Sequence, residues 1–303
     1  MGIQIREATS EEMKKNIRTV KKMTKGMGFD ENMGKVNWKF VRAISNFGYQ
    51  FMPRKKEVKF SNVMFGNVKT LLAEYGKEDN SHIIIYIHGG GFVSGSAKSS
   101  KGYSSMLARY SGYKVYSINY RLAPENPFPD GFNDCYYVLC EVCKLYPQAK
   151  ITLIGESAGA NLCVALALKD RTKVSSVIVH SPFMDFTGSI NREEHQIDDF
   201  TVKAGCLKAL NDIYVKKEDN KNPYISPVFG DYKGFPATFI TCDYNETLYA
   251  DAKILYNKCF EENVDVTMIE MKNSFHAFAT IGTGTPETRK ILEENIDFIK
   301  NKG

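Results

Sequence analysis

Gly155-Glu156-Ser157-Ala158-Gly159 follows the short apolar run Ile151-Thr152-Leu153-Ile154 and opens an Ala-rich stretch with the composition of a helix. Strand, tight turn and helix in that order put one serine at the bend. In a nucleophile elbow of this kind the backbone turns so sharply that the serine is lifted above the sheet edge, while glycines two residues either side keep neighbouring side chains away. The same pattern arises by chance in a chain with 23 glycines, and a serine there would serve equally as a helix N-cap. The surrounding chain decides between these readings.

From about residue 57 onward β-rich runs alternate with helical segments, the pattern of an α/β domain with a largely parallel sheet. Strands are expected near 57–64, 68–75, 82–88, 113–118, 151–155, 174–180, 236–242 and 264–270. Helices are expected near 99–111, 130–146, 157–169, 247–262 and 286–300. The first two strands are too close together for a helical crossover and should form an antiparallel hairpin. Two stretches break the alternation: residues 1–53, read as amphipathic helices near 10–26 and 34–51, and residues 186–230, a polar insertion with one helix near 200–215. Inserted segments of this length often carry function. The expectation is a cap over a site, built from 1–53 and 186–230, on a catalytic domain of residues 54–303.

The 303 residues carry a net charge of +5, with 43% hydrophobic and 25% charged residues, ordinary for a globular enzyme. Residues 1–60 hold 14 Lys and Arg against 6 Asp and Glu, so the basicity belongs to the N-terminal segment. Lys14-Lys15, Lys21-Lys22 and Arg54-Lys55-Lys56 are interleaved with apolar residues at helical spacing, which favours solvated helix faces over a nucleic-acid or membrane surface. No run approaches the roughly 18 apolar residues of a membrane span, and the start Met1-Gly-Ile-Gln-Ile-Arg-Glu has no signal-peptide core. A cytoplasmic location and no nucleic-acid partner are expected. The 7 cysteines fall mostly in apolar segments, and Cys140-x-x-Cys143 lies in an expected helix without a second pair at zinc spacing. Neither a disulfide framework nor a metal site is therefore expected.

His88-Gly89-Gly90-Gly91-Phe92 comes directly after the strand Ile83-Ile84-Ile85-Tyr86-Ile87. Three glycines there leave bare backbone able to approach something closely, as acyl transfer requires where N–H groups converge on an oxyanion. A phosphate cradle is the other use of such a loop, but the Lys-Ser/Thr ending and the G-x-G-x-x-G spacing are missing. A serine hydroxyl also needs a general base. The chain has 5 histidines, His82, His88, His180, His195 and His276, and only His276 falls in the loop after the last expected strand, in the order serine, acid, histidine. Asp243 and Glu246 both follow the strand Ala237-Thr238-Phe239-Ile240-Thr241-Cys242, and their spacing does not separate them as the acid.

In this order His88-Gly-Gly-Gly-Phe92, Tyr120-Arg-Leu-Ala-Pro-Glu125, Gly155-Glu-Ser-Ala-Gly159 and His276-Ala-Phe278 resemble the hormone-sensitive-lipase-like branch of the α/β-hydrolases, the bacterial family IV esterases. The resemblance covers roughly residues 57–303, and the Tyr-Arg-Leu-Ala-Pro-Glu run is its most specific part. It implies an α/β-hydrolase fold, mostly parallel with helices on both faces and a helical cap. It further implies Ser157 as nucleophile, His276 as base, and the N–H groups of Gly90, Gly91 and Ala158 as the oxyanion hole. Glu246-Thr247-Leu248 matches the frame of the family's acid motif, with Asp251 as a second acid further along; Asp243 is held in reserve. Glu156 stands where Asp is more usual, and Ala160 where Gly is common.

The activity so implied is hydrolysis of small, short-acyl carboxylic esters, acetyl esters among them, through an acyl-enzyme without cofactor or metal. The partner is a small-molecule ester, and the family resemblance allows a homodimer. Two alternatives stand beside it: an amidase or peptidase on the same three residues, and a non-catalytic ligand-binding member of the fold. Members of the second kind lack the histidine that this chain retains at His276.

Overall fold

A computed structural model describes residues 2–24, 30–49, 54–76, 79–193, 199–203, 205–281 and 284–302. Its centre is one nine-stranded sheet. The strands are β1 (Gly2–Glu7), β2 (Lys59–Phe65), β3 (Val68–Glu74), β4 (Asp79–Ile87), β5 (Tyr113–Ile118), β6 (Lys150–Glu156), β7 (Ser176–His180), β8 (Ala237–Asp243) and β9 (Val266–Lys272). They lie in the order β1-β9-β8-β7-β6-β4-β5-β3-β2. β2 and β3 form the expected antiparallel hairpin, β3 runs antiparallel to β5, and every other pairing is parallel.

Side chains alternate across a strand, and β4 shows what its continuous apolar run is for. Ile83, Ile85 and Ile87 enter one buried cluster, while Ile84 and Tyr86 enter another on the opposite face. Helices α4 (Asp130–Leu145), α5 (Ala158–Lys169) and α7 (Tyr249–Glu261) cover the first face; α3 (Lys101–Ser111) and α8 (Pro286–Lys302) cover the second. A sheet buried on both faces needs no polar alternation, so its central strands read as plain apolar runs. The 7 cysteines are free thiols, five of them buried.

The N-terminal segment contains helices α1 (Glu11–Thr24) and α2 (Trp38–Tyr49), as its periodicity predicts, but it begins with a strand that the sequence reading did not contain. β1 pairs in parallel with β9, from Gly2 opposite Thr267 to Glu7 opposite Lys272. In α1, Met13 and Val20 are buried and the lysines face solvent. In α2, Trp38 is buried while Phe40 and Ile44 are exposed, and Arg42 points inward, donating from Nε to Val93 O at 2.7 Å and from Nη1 to Glu125 at 2.8 Å. In the insertion, the helix expected near 200–215 is the short α6 (Cys206–Leu210) followed by a single π-helical turn over Asn211–Val215. Among the described residues, no helix is long and apolar enough to cross a membrane.

Candidate active site

Parallel strands end on one edge of the sheet, and the loops after β4, β6, β8 and β9 gather there. Ser157 lies between β6 and α5 at φ 55°, ψ −120°. This conformation strains any residue with a Cβ. Its side chain makes no capping bond to α5, so it is not an N-cap in the ordinary sense. The turn depends on its glycines: a Cβ on Gly155 would come 2.6 Å from the Gly159 carbonyl, and one on Gly159 would come 2.0 Å from Ile87 O. The Ser157 N–H donates to His180 O at 2.9 Å, which ties the bend to the end of β7.

The glycine loop leaves β4 beside this bend. Gly90 and Gly91 have φ values of 110° and 59°, and a Cβ on Gly90 would meet Ser94 O at 2.4 Å. The loop closes on itself through Ser94 N–H to Gly90 O at 2.9 Å. The N–H of Ala158 lies in the first turn of α5, where no intrahelical acceptor exists. His88 is structural: its ring stacks on Tyr120 at 4.3 Å, and burial lowers its pKa to about 4, so it is neutral.

His276 is buried in the loop between β9 and α8, and its Nδ1 lies 2.9 Å from Glu246 Oε2. Glu246 is buried in the loop after β8. Burial opposes charge on the His276 imidazole, but the charge and hydrogen bond of Glu246, with help from Asp199 and Glu156, outweigh it and hold the pKa above its ordinary value. The loop is pinned on both sides of the ring. Ala277 N–H donates to Ser181 Oγ at 2.9 Å, and Ser274 donates to Asp243 Oδ2 from its N–H at 2.9 Å and its Oγ at 2.6 Å.

The two acids that spacing left open therefore have different partners: Glu246 meets the imidazole, and Asp243 holds the loop that carries it. Asp251 meets neither. It is fully buried and takes Arg192 of the insertion in a two-pronged pair, Nε to Oδ2 at 2.6 Å and Nη2 to Oδ1 at 2.8 Å. Of the remaining histidines, His82 stacks on Tyr113 at 4.8 Å at the start of β4. His180 is buried against Thr241 and Tyr103 with its pKa lowered by burial to about 3, and His195 lies outside the described residues. Three residues near the site carry polar contacts that the sequence did not disclose: Glu156, Arg42 and Asp199. Only Glu156 gave a signal, as a departure from the usual Asp.

The family model for the alpha/beta hydrolase fold matches residues 84–280. An acetyl-hydrolase of Streptomyces hygroscopicus is 30% identical over 218 residues, covering 69% of this chain and 72% of its own. An esterase of Acinetobacter venetianus is 29% identical over 227 residues, covering 72% of this chain and 74% of its own. Among solved structures, an HSL homolog from a metagenome library, named for hormone-sensitive lipase, superposes with a TM-score of 0.84 at 26% identity, covering 97% of this chain and 99% of that one.

Proposed function

The chain belongs to the hormone-sensitive-lipase-like esterases of the α/β-hydrolase fold and is a serine carboxylesterase of small esters; from that premise we propose that Ser157 is its nucleophile, His276 its base and Glu246 the acid that orients the base. The observation that carries this reading is the 2.9 Å bond from His276 Nδ1 to Glu246, made at the sheet edge where the Ser157 bend stands. A buried carboxylate on Nδ1 fixes the tautomer, leaves Nε2 to take a proton, and stabilises the imidazolium that forms.

The steps follow from these parts. Ser157 Oγ attacks the ester carbonyl carbon while its proton passes to His276 Nε2. The C=O electron pair moves onto oxygen, which the N–H groups of Gly90, Gly91 and Ala158 receive. The intermediate collapses by breaking the bond to the leaving alkoxide, which takes the proton from His276 and departs as alcohol. Water then attacks the acyl-enzyme with His276 again as base, and the acid product leaves with Ser157 restored. No cofactor or metal takes part in these steps.

The cap expected from residues 1–53 and 186–230 loses Gly2–Glu7, which belong to the sheet as β1; in this reading it is made of the remaining described residues of the two segments. Its support is the anchoring of both segments around the site: Arg42 to Val93 O beside the glycine loop, Asp199 to the loop of Glu246, and Arg192 to Asp251 of α7. The substrate class is a small ester with a short acyl group, with acetyl esters foremost because the Streptomyces relative is named an acetyl-hydrolase. Matched p-nitrophenyl esters from acetate to decanoate, with acetanilides alongside, test this: turnover should be greatest at acetate or butyrate and negligible on the anilides. Anilide turnover matching that of the esters would make the protein an amidase instead.

A further inference from the structure

Glu156 precedes the serine and has no part in the steps above, yet its carboxylate is fully engaged. One oxygen, Oε1, accepts the backbone N–H of Gly89 at 2.8 Å. The other, Oε2, accepts the hydroxyl of Tyr86, a buried side chain of β4. β4 and β6 are paired neighbours, with Ile87 opposite Gly155. The carboxylate thus bridges the end of β6 to the first glycine of the loop that leaves β4. The fit is close: a Cβ on Gly89 would sit 2.9 Å from Glu156 O and 3.1 Å from its Cγ.

We propose that Glu156 is a positioning residue, whose carboxylate, locked by Tyr86, holds the Gly89 N–H and so sets where the N–H groups of Gly90 and Gly91 stand relative to Ser157. The inference rests on the reading of Gly90 and Gly91 given above. A glycine run has no side chains of its own to fix its path and is otherwise free over a wide range of φ and ψ. Its donors act on the transition state only if they are held in advance where the oxyanion develops. The grip is on the His88–Gly89 peptide, one peptide before the one that carries the Gly90 N–H. Glu156 grips it from the same residue pair that carries the nucleophile, so loop and serine share one anchor.

Charge on Glu156 would also favour a protonated His276, and the test separates that effect from positioning. Glu156→Gln keeps a carbonyl oxygen for Gly89 and removes the charge; Glu156→Leu removes both; Tyr86→Phe keeps the carboxylate but frees its second oxygen. Each is assayed for kcat and KM on p-nitrophenyl acetate, and for affinity toward a trifluoromethyl ketone, which the serine converts to a tetrahedral oxyanion.

Positioning predicts that Glu156→Leu loses about 100-fold in kcat, the scale of a 1 Å misplacement, with KM little changed and ketone affinity falling in parallel. Glu156→Gln should stay within about threefold, and Tyr86→Phe should lose about tenfold, scales set by one hydrogen bond to a charged group. Should Glu156→Leu fail to fold, the Gln and Tyr86→Phe pair still decides. Glu156→Gln as impaired as Glu156→Leu, or Tyr86→Phe with undiminished kcat and ketone affinity, would overturn the proposal. Ser157→Ala run alongside separates the layers. An inactive Ser157→Ala with a fully active Glu156→Leu rejects positioning alone, and an active Ser157→Ala rejects the site reading with it.

Discussion

Asp199, in the insertion, accepts the backbone N–H of Thr247 at 2.9 Å, and Thr247 is the residue after Glu246. The Thr247 hydroxyl completes a clasp by donating to Val202 O at 2.6 Å. The insertion and the loop of Glu246 are thereby held together. Asp199→Ala leaves the Thr247 N–H without its acceptor, at a cost of about 1–3 kcal/mol, and loosens the residue beside the acid. The expected outcome is a fall in kcat of about tenfold with a lowered melting temperature; an unchanged kcat would show that the clasp does not reach Glu246.

Asp243, which ends β8, and Glu246, in the loop after it, should respond differently to loss of charge. Glu246→Gln puts an amide against His276 Nδ1 and should cost about four orders of magnitude in kcat, the scale for the same change in a serine-protease triad. Asp243→Asn retains an acceptor for Ser274 and lies off the imidazole, so its loss should be less than tenfold by the scale of one weakened hydrogen bond. Steady-state kinetics of the pair settles the order, and the reverse ranking would move the acid to Asp243.

The His276 pKa gives a sign for the pH dependence. In the proposed role of base His276 acts only when neutral, and burial, which opposes its charge, is outweighed by the bonded Glu246 and by the charges of Asp199 and Glu156, which favour the protonated form. Activity should therefore fail on acidification with a midpoint above about 6.5, the unperturbed value. A profile of kcat/KM from pH 5 to 9 checks this. Glu246→Gln should move the midpoint down, since burial is then less opposed.

Arg192 and Asp251 are a buried ion pair, 5% and 0% exposed, that ties the insertion to α7. Arg192→Met strands the carboxylate and should destabilise the protein by about 3–5 kcal/mol, while a combined Arg192→Met and Asp251→Leu change should recover most of the loss. Urea unfolding measures both, and equal losses in the single and double variants would contradict the pairing account.

The sequence disclosed those parts of the fold that depend on local pattern. Ile83–Ile87 is apolar throughout because β4 is buried on both faces, and its Gly-rich exit marks where the strand must stop. β1 carried no such mark. Gln4, Arg6 and Glu7 make it polar, it lies on the sheet edge, and its partner Thr267–Lys272 is far along the chain. The insertion was opaque for a related reason. Its order comes from scattered apolar side chains such as Phe186, Val202 and Tyr214 that enter the main core, and from distant polar pairs such as Arg192 with Asp251 and Asp199 with Thr247, neither of which leaves a periodicity. The same limit applied to Asp243 and Glu246, since which carboxylate faces His276 depends on the path of a loop. α2 shows a different limit: Trp38 is buried, yet Arg42 is drawn in against the carbonyls of Val93 and Ala123 while Phe40 and Ile44 stay exposed.

The central claim is that Ser157 is the nucleophile, and covalent trapping addresses it most directly. The protein is treated with a fluorophosphonate, whose phosphorus is attacked by a base-activated serine with loss of fluoride, and the adduct is mapped by peptide mass spectrometry. The account predicts one phosphonyl group per chain on Ser157, complete loss of p-nitrophenyl acetate hydrolysis in step with labelling, and no labelling of Ser157→Ala. Full activity after stoichiometric labelling of Ser157, or an adduct and undiminished turnover in Ser157→Ala, would contradict it.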